Sequence, residues 1–257
     1  MSNKDNRLKI KNKSHYKLYS VIIKGITMEL KELKELITGD TKIVSDNHFG
    51  HNSAFEKFEP IRKTIAEDLS KFEKEMTHRW NKSVSTTDNL LHLGDFCINK
   101  MKEQKTLDNI ENNTSSLNGN KILIKGNHDK TKNAVYLESG WNYVVDKPII
   151  LLDKMKVLDE EMDYIGCIIT EIDGKRIMFS HFGIFSYDKR FEGKFENQFK
   201  YLKKLYYEYK CDLNIHGHSH GNFDRTKESM NVSVENINFT PISISDSITK
   251  IFEYKEK

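Results

Sequence analysis

The sequence has few cysteines, few prolines and no long apolar run. Its three cysteines, Cys97, Cys167 and Cys211, are too few and too scattered for a disulfide framework or a cysteine-based zinc module. This favours a reducing, cytoplasmic location. Three prolines and 13 glycines among 257 residues exclude collagen-like and proline-rich chains. No stretch approaches the about 18 apolar residues of a membrane-spanning helix, and we find no secretory signal.

Charge is distributed unevenly along the chain. The net charge is only +3, but residues 1–24 carry seven basic side chains against one acidic side chain. Such an arm can bind nucleic-acid phosphates. A solvated, lysine-rich tail is the more common interpretation of such a segment. We assign residues 1–40 to a basic N-terminal extension with a short helix, and residues 41–257 to one folded domain.

The spacing of apolar residues predicts helices alternating with short strands. Steps of three or four positions between apolar residues predict helices over 28–37, 58–80 and 195–209. Apolar runs of strand length occupy residues 42–45, 89–93, 121–125, 148–152, 176–180 and 212–215. Asp173-Gly174 is typical of a hairpin turn. Strands separated mostly by helices predict an α/β fold.

Five of the predicted strands end in clusters of Asp, Asn or His side chains. Six of the ten histidines lie inside these clusters, and two more lie within three residues of one. Because α/β folds place ligand-binding loops at the carboxyl ends of strands, we expect the five clusters to meet at one rim. They are Asp46-Asn47-His48, Gly94-Asp95, Gly126-Asn127-His128-Asp129, Ser180-His181 and His216-Gly217-His218-Ser219-His220.

The ligand chemistry of these clusters predicts a metal centre. Carboxylate, amide and imidazole ligands without a thiolate suit divalent ions, and seven ligands fit two ions better than one. We expect the bound ions to generate a hydroxide nucleophile that attacks a phosphate ester, while His128 protonates or stabilises the leaving oxygen. Manganese is the favoured ion, with iron, zinc, nickel or cobalt as alternatives. The candidate ligands are Asp46, His48, Asp95, Asn127, His181, His216 and His218.

The ordered motifs resemble those of the calcineurin-like metallophosphoesterase superfamily over about residues 41–225. In chain order these motifs are Asp-x-His, Gly-Asp, Gly-Asn-His-Asp, a lone Ser-His and Gly-His-x-His. The resemblance implies a four-layer sandwich of two mixed β-sheets flanked by α-helices. It also implies one metal held by Asp46, His48, Asp95 and His218, and a second held by Asp95, Asn127, His181 and His216. Asp95 and His128 would then be the catalytic residues.

One departure from the family's motifs limits which activity the resemblance implies. Members that dephosphorylate proteins continue the second motif as Gly-Asp-x-x-Asp-Arg-Gly, whereas this chain has Gly94-Asp95 followed by Phe96 to Lys100. Protein phosphatase activity is therefore not expected, and the usual carboxylate partner of His128 is absent. The segments around His48 and His218, and Asn231 to Val234, are similar to a small bacterial and phage subgroup.

Four further side chains are candidates for contact with substrate. Asn127, His51 and His220 lie in or near the motifs, and Arg79 lies at the end of the predicted 58–80 helix. His51 and His220 also have a structural interpretation as neighbours in a polar rim, and Arg79 as part of a helix end. His92 lies inside a predicted strand, which favours a structural role. Trp80 continues an apolar helix face, which favours core packing.

These observations predict a dinuclear metal-dependent phosphoesterase that acts on a phosphodiester or phosphomonoester. A nucleotide or nucleic-acid end is the expected substrate, because the arm is basic and the protein-phosphatase motif is missing. Two alternatives remain open: a nuclease acting on polynucleotides, and a catalytically silent metal-binding scaffold of the same fold. We expect no membrane association and no obligate protein partner.

Overall fold

The computed structural model describes most of the chain and allows the element order to be traced. It describes residues 21–23, 26–28, 30–98, 103–185, 193–221 and 226–255. Most of the basic arm predicted over residues 1–24 therefore lies outside the described residues, and the domain boundary at residue 40 stays a prediction.

Thirteen strands and six α-helices are formed by the described residues. The strands are β1 (Val21–Ile23), β2 (Ile26–Met28), β3 (Lys42–Val44), β4 (Asn89–His92), β5 (Asn120–Ile124), β6 (Tyr143–Val145), β7 (Pro148–Ile150), β8 (Lys156–Val157), β9 (Cys167–Ile172), β10 (Lys175–Ser180), β11 (Leu213–His216), β12 (Ser229–Asn231) and β13 (Ile242–Ser243). The helices are α1 (Leu30–Leu36), α2 (Leu69–Ser83), α3 (Glu103–Ser116), α4 (Asn133–Glu138), α5 (Glu196–Glu208) and α6 (Ile244–Lys255).

Two mixed sheets form the centre of the fold. The five-stranded sheet has the order β13-β3-β4-β5-β6, in which β13 is antiparallel and the other pairings are parallel. The six-stranded sheet has the order β12-β11-β10-β9-β7-β8 and combines parallel and antiparallel pairings. The predicted fold class, two mixed sheets flanked by helices, is confirmed.

Burial explains why the strands appear in the sequence as short apolar runs. The central residues of β4 and β5 are fully buried, as is typical of parallel strands with both faces covered. Phe72, Met76 and Trp80 of α2 belong to the same hydrophobic cluster as these strands. The hairpin between β9 and β10 closes where predicted, with Ile172 paired to Lys175.

The segment predicted as one helix over residues 58–80 is divided into three pieces. A π-helical turn spans Ala54–Phe58, a 3₁₀ helix spans Pro60–Thr64, and α2 begins only at Leu69. The Asp68 side chain accepts a hydrogen bond from the Lys71 N–H at 2.8 Å and caps α2. The predicted helix is therefore interrupted at Asp68. As a result the apolar series does not lie on one helix face.

Of the other five α-helices formed by the described residues, two were predicted and three were not. The helices expected over 28–37 and 195–209 correspond to α1 and α5. Helices α3, α4 and α6 were not predicted. The apolar residues of α3 are sparse and α4 is only six residues long, whereas Ile244, Ile248 and Ile251 of α6 do have helical spacing. Among the described residues, no helix has both the length and the apolar character needed to cross a bilayer.

Candidate metal centre

The loops that follow strands β3, β4, β5, β10 and β11 meet at the carboxyl ends of both sheets. The prediction that five polar clusters converge at one rim therefore matches the arrangement of the loops. Within the described residues, metal-ligand atoms gather in groups of three in which all atoms lie within 4.8 Å of one another. Two of these groups define the site and are described in turn.

The first group, here called the Asp46 cluster, consists of Asp46, His48 and His220. The Nε2 atoms of His48 and His220 lie 3.1 Å apart. The Asp46 Oδ1 atom lies 3.7 Å from His48 Nε2 and 3.8 Å from His220 Nε2. Two imidazole nitrogens at this separation require either a shared proton or a cation that accepts both lone pairs. The carboxylate oxygen faces the same point.

The second group, here called the Asp95 cluster, consists of Asp95, His181 and His218. His181 Nε2 lies 3.5 Å from Asp95 Oδ2 and 3.2 Å from His218 Nδ1. The other ring nitrogen of His181 lies 2.8 Å from the Leu93 carbonyl oxygen, which only accepts hydrogen bonds. His181 Nδ1 therefore carries a proton, and Nε2 is the ring nitrogen that faces the cluster.

One oxygen atom connects the two clusters. Asp95 Oδ2 lies 3.5 Å from His48 Nε2 and 3.5 Å from His181 Nε2, so it faces a ligand of each cluster. Asp95 also forms a third group with His48 and His128. A carboxylate in this position is able to bridge two cations.

Backbone conformation directs the ligands toward this point. Asp46, His48, Asp95, His218 and His220 all have φ between 49° and 71°. This left-handed region is uncommon for residues with side chains and costs roughly 1–2 kcal/mol each. Its repeated use at one rim indicates that surrounding contacts impose it.

Two glycines allow the loops to approach each other closely. A Cβ atom at Gly126 would overlap the Asp95 carboxylate, and one at Gly217 would overlap the side chains of Ser45 and Asp46. Only glycine fits at these two contacts. The clusters therefore depend on direct contact between backbone and carboxylate.

Each central carboxylate uses one oxygen to hold neighbouring loops and turns the other toward the cluster. Asp46 Oδ2 accepts hydrogen bonds from the His218 N–H and the Ser233 hydroxyl, both at 2.9 Å. Asp95 Oδ1 accepts the His128 N–H at 2.7 Å. The candidate metal ligands are thus positioned by hydrogen bonds from other loops.

Asp129 binds two of the strand-end loops together. Its carboxylate accepts hydrogen bonds from the N–H groups of Asp95 and Gly126 at 2.6 and 3.0 Å, and from the Tyr136 hydroxyl at 3.2 Å. Burial and then the charge of Asp95 raise the pKa of Asp129 to about 7. The last residue of the Gly-Asn-His-Asp motif therefore supports the loops that carry the ligands.

Burial and neighbouring charges shift the pKa values of the cluster residues. Burial lowers the pKa of His48 to about 4, although Asp46 opposes this shift. Burial also disfavours charge on His181, but the Asp95 carboxylate outweighs it and raises the pKa of His181 to about 9. The same pairing outweighs burial at Asp95 and holds its pKa well below the ordinary range. A cation bound here would displace the proton of His181.

The donor set fits divalent cations. Asp46 Oδ1 is buried, and among the described residues it has no hydrogen-bond partner. A buried carboxylate oxygen without a donor is costly unless a cation satisfies it. Imidazole nitrogens and carboxylate oxygens without thiolates suit manganese, iron, zinc and related ions.

The geometry divides the histidines after β11 differently from the sequence-based assignment. His218 was expected with Asp46 and His48, but it lies with Asp95 and His181, whereas His220 lies with Asp46 and His48. His216 is buried in β11, and its Nδ1 lies 3.0 Å from the Gly217 carbonyl oxygen. The groups of three ligand atoms found in the described residues do not include His216. Its role as a ligand stays a prediction.

Asn127 and His128 lie at the edge of the Asp95 cluster. The Asn127 Oδ1 atom is 3.1 Å from His181 Nε2, within reach of any cation that this nitrogen would bind. The His128 ring lies 5.0 Å from the His48 ring, and its side chain is 23% exposed. His128 therefore connects the buried cluster to solvent.

The remaining candidates occupy distinct surroundings. His51 Nδ1 lies 3.1 Å from His48 Nδ1, so His51 is placed to orient a candidate ligand. His92 is buried beside Trp80 and Trp141, in agreement with a structural role. The Arg79 guanidinium pairs with Glu75 at 2.7 Å and donates to the Asn238 carbonyl at 3.2 Å. These contacts do not bring Arg79 to the clusters, and its contact with substrate stays a prediction.

Two buried charged residues at the site were not found from the sequence. Arg62 and Glu235 are buried and pair with each other behind the Asp46 cluster. Arg62 lies in a segment with helical spacing, where a charged residue normally indicates a solvated face. The sequence signal nearest to Glu235 is the 231–234 segment that directly precedes it.

The chain is similar to known proteins over most of its length. A family model described as calcineurin-like phosphoesterase matches residues 40–222. An uncharacterised protein from Methanocaldococcus jannaschii is 27% identical over 225 residues, which cover 82% of this chain and 90% of that protein. A solved structure of a protein of unknown function from Aquifex aeolicus has 26% identity and a TM-score of 0.57, covering 82% of this chain and 98% of that chain. The nuclease MPE from Pseudomonas putida aligns with 15% identity and a TM-score of 0.33, covering 79% of this chain and 73% of that chain.

Proposed function

This chain belongs to the calcineurin-like phosphoesterase family, and from this premise we propose that it hydrolyses phosphate esters at a centre of two divalent cations. The observation that carries the proposal is the Asp95 Oδ2 atom, which lies 3.5 Å from a histidine nitrogen on either side. A single carboxylate oxygen between two sets of ligands is the arrangement that two-metal hydrolases use.

We assign each cation to one cluster. Asp46, His48 and His220 would hold one ion; Asp95, His181, His218 and Asn127 would hold the other, with Asp95 shared. Bound divalent cations lower the pKa of water and offset the charge of a phosphate ester. Manganese is the proposed ion, although the ligand set also accepts iron, zinc, nickel or cobalt.

His128 is the proposed proton donor to the leaving oxygen. Its Nε2 atom lies 4.0 Å from Asp95 Oδ2, and its backbone N–H donates to the same carboxylate. This contact fixes the start of the side chain, and because the side chain is 23% exposed, a substrate that enters from solvent is able to reach the ring. Proton transfer by a positioned histidine contributes about 100- to 10,000-fold to rate.

Phe58 supports a nucleotide or a nucleic-acid end as the substrate. It is 60% exposed, and its ring centroid lies 6.4 Å from that of His51 at the rim of the site. The turn that carries it is anchored by Phe55 and Glu59, which are both buried. An exposed aromatic ring held beside a phosphate site offers a stacking surface for a base.

The state of the three cysteines supports a proposal for the cellular compartment. Cys97, Cys167 and Cys211 are all free and buried, which agrees with a reducing compartment. We therefore propose a cytoplasmic enzyme without an obligate protein partner.

The proposal is tested by metal analysis and hydrolysis together. We expect the purified chain to bind two Mn²⁺ ions and to hydrolyse bis-p-nitrophenyl phosphate and one member of a panel of nucleotides, cyclic nucleotides and single-stranded oligonucleotides. The variant His128→Ala should keep both ions and lose about 100-fold or more in kcat. Loss of the ions in this variant would contradict the proton-donor assignment.

The same experiment separates the two alternatives. Less than one ion per chain, together with no hydrolysis, would favour a scaffold and overturn the proposal. Deletion of residues 1–24 distinguishes a nuclease, because only cleavage of a polynucleotide should then weaken, and the loss should be largest at low salt, where the basic arm contributes most to binding.

A further inference from the structure

A buried ion pair lies directly behind the Asp46 cluster. The Arg62 Nε and Nη2 atoms lie 2.7 and 2.6 Å from Glu235 Oε1, and both side chains are about 1% exposed. The two residues are 173 positions apart in the chain. Burying two charges is expensive, and such pairs often contribute little to stability. Their contacts therefore need a further explanation.

Arg62 reaches the loop that carries the first two ligands. Its Nη2 donates to the Asp46 carbonyl at 2.7 Å, and its Nη1 donates to the Asn47 carbonyl at 3.0 Å. These carbonyls belong to the left-handed turn between Asp46 and His48. The planar guanidinium holds this turn while it is paired with Glu235.

Glu235 reaches the third ligand of the same cluster. Its Oε1 atom lies 3.5 Å from His220 Nδ1, and Glu59 Oε1 lies 3.8 Å from that nitrogen. The opposite ring nitrogen, His220 Nε2, is the one that faces His48 and Asp46. The His220 ring thus lies between carboxylates on one side and the candidate cation ligands on the other.

We infer that Glu235 is a positioning residue for the metal centre, which holds the proton of His220 on Nδ1 so that Nε2 presents its lone pair to the cation of the Asp46 cluster. Arg62 keeps the Glu235 carboxylate charged and in place, and it fixes the Asp46 turn at the same time. The inference rests on the proposed function, because it assumes that the cluster binds a cation. Carboxylates that orient a ligating histidine typically change metal affinity by about 10- to 100-fold.

The test compares Glu235→Gln with a matched control. Glutamine keeps an oxygen for Arg62 but removes the charge that faces His220. The control is Glu73→Gln, a half-buried carboxylate that accepts the Gly50 N–H in the loop after β3 but has no contact with His220 among those recorded for the described residues. Titration calorimetry with Mn²⁺ gives the affinity of each ion, and two-dimensional ¹H–¹⁵N spectra of the imidazole rings give the protonated nitrogen of His220 in the metal-free chain.

We expect Glu235→Gln to weaken one of the two Mn²⁺ ions by about 10- to 100-fold and to leave the other within about twofold. The His220 signal should shift away from the Nδ1-protonated form in this variant only. The control should keep both affinities and the signal.

Three outcomes would count against the inference, and they differ from one another. If the wild type binds two ions and Glu235→Gln binds both equally well, the inference is wrong and the proposed function stands. If Glu235→Gln only lowers the thermal midpoint while affinity and tautomer are unchanged, the ion pair is structural and the inference is again wrong. If the wild type binds no Mn²⁺, both the proposed function and the inference are overturned.

Discussion

The Asp46 cluster and the Asp95 cluster contain the same ligand types in different surroundings. Each offers one carboxylate and two imidazoles. Behind the Asp46 cluster lie the buried charges of Arg62 and Glu235. The Asp95 cluster is bordered by the Leu93 carbonyl oxygen and by aromatic rings, of which Phe182 has its centroid 4.6 Å from that of His218. One cluster is thus supported by a buried ion pair, and the other by a backbone carbonyl, the Asp129 carboxylate and apolar packing.

This difference indicates that the two proposed cations would not be equivalent. Interactions between buried charges are long-ranged, so binding at the Asp46 cluster should respond to charge changes in its surroundings. Binding at the Asp95 cluster should depend on the packing that holds His181 and His218. The predictions below test this comparison, in order of expected effect.

Asp95→Asn should have the largest effect, because Asp95 serves both clusters. An amide nitrogen facing His48 and His181 removes the bridging charge, and the loss of several kcal/mol of electrostatic stabilisation lowers kcat by about 1,000-fold or more. Dialysis followed by elemental analysis should find fewer than two ions per chain. Circular dichroism checks that the variant is folded. Two tightly bound ions in this variant would contradict a shared ligand.

Single histidine variants should separate the clusters. His220→Ala should lose the ion of the Asp46 cluster, and His218→Ala the ion of the Asp95 cluster, so each should bind about one Mn²⁺ per chain when measured by calorimetry. His216→Ala is the matched comparison from the same segment and should keep two ions. If His216→Ala loses an ion and His220→Ala does not, the assignment reached from the sequence is correct and the one reached from the geometry is wrong.

In metal-free protein the two clusters should respond to pH in opposite directions. The pKa of buried His48 is lowered from 6.5 to about 4, so its contribution to stability is present above pH 6.5 and is lost as pH falls toward 4. The pKa of His181 is raised from 6.5 to about 9, despite burial, by Asp95, so its contribution is present below pH 6.5 and is lost as pH rises toward 9.

Urea unfolding in the presence of a chelator measures both limbs. Each group contributes a slope of at most about 1.4 kcal/mol per pH unit within its window. His48→Gln should flatten the change on the acid side, and His181→Gln the change on the alkaline side. If both variants flatten the change in stability on the same side of the pH profile, the predicted opposite pH responses of the two clusters are wrong.

Phe58→Ala should have the smallest effect, and it tests whether a base of the substrate stacks beside His51. Loss of one stacking partner should raise KM for a nucleotide by about tenfold. It should leave KM unchanged for small phosphodiesters that lack a base. Tyr207→Ala is a matched control, because Tyr207 is also 60% exposed and its contacts lie with Tyr206 in α5. An equal effect of both variants would exclude a specific contact beside His51.

The fold was predictable because its strands are short, buried and followed by turn-forming polar residues. Strands β4 and β5 appear as uninterrupted apolar runs, since both of their faces are covered. The division of the 58–80 segment was not predictable from spacing alone. Its apolar steps continue through Asp68, and only the hydrogen bond of that side chain to Lys71 shows where α2 begins.

The ligand residues were predictable as types but not in their grouping. His216, His218 and His220 alternate regularly, and in an extended chain all three would point the same way. The left-handed backbone at His218 and His220 ends this alternation after β11. It arises where Gly217 packs against Ser45 and Asp46, a contact between distant segments that no local pattern encodes.

Charged residues in supporting positions were the least predictable part of the site. Arg62 lies between apolar residues of a helical series, and sequence reasoning assigns such a residue to solvent. Its burial follows from tertiary contacts with Glu235, 173 residues later, and with the Asp46 and Asn47 carbonyls. The ligands have a recurring motif, whereas their supports depend on tertiary contacts.

The double use of each carboxylate limits how this centre can be redesigned. Asp46 and Asp95 each bind a backbone N–H of another loop through the oxygen that faces away from the cluster. An exchange of either residue for histidine or cysteine, made to favour a softer ion, would also release the loop that presents the next ligand. Altered metal preference would therefore require a coordinated set of substitutions, in which a new acceptor for the released N–H is introduced together with the new ligand.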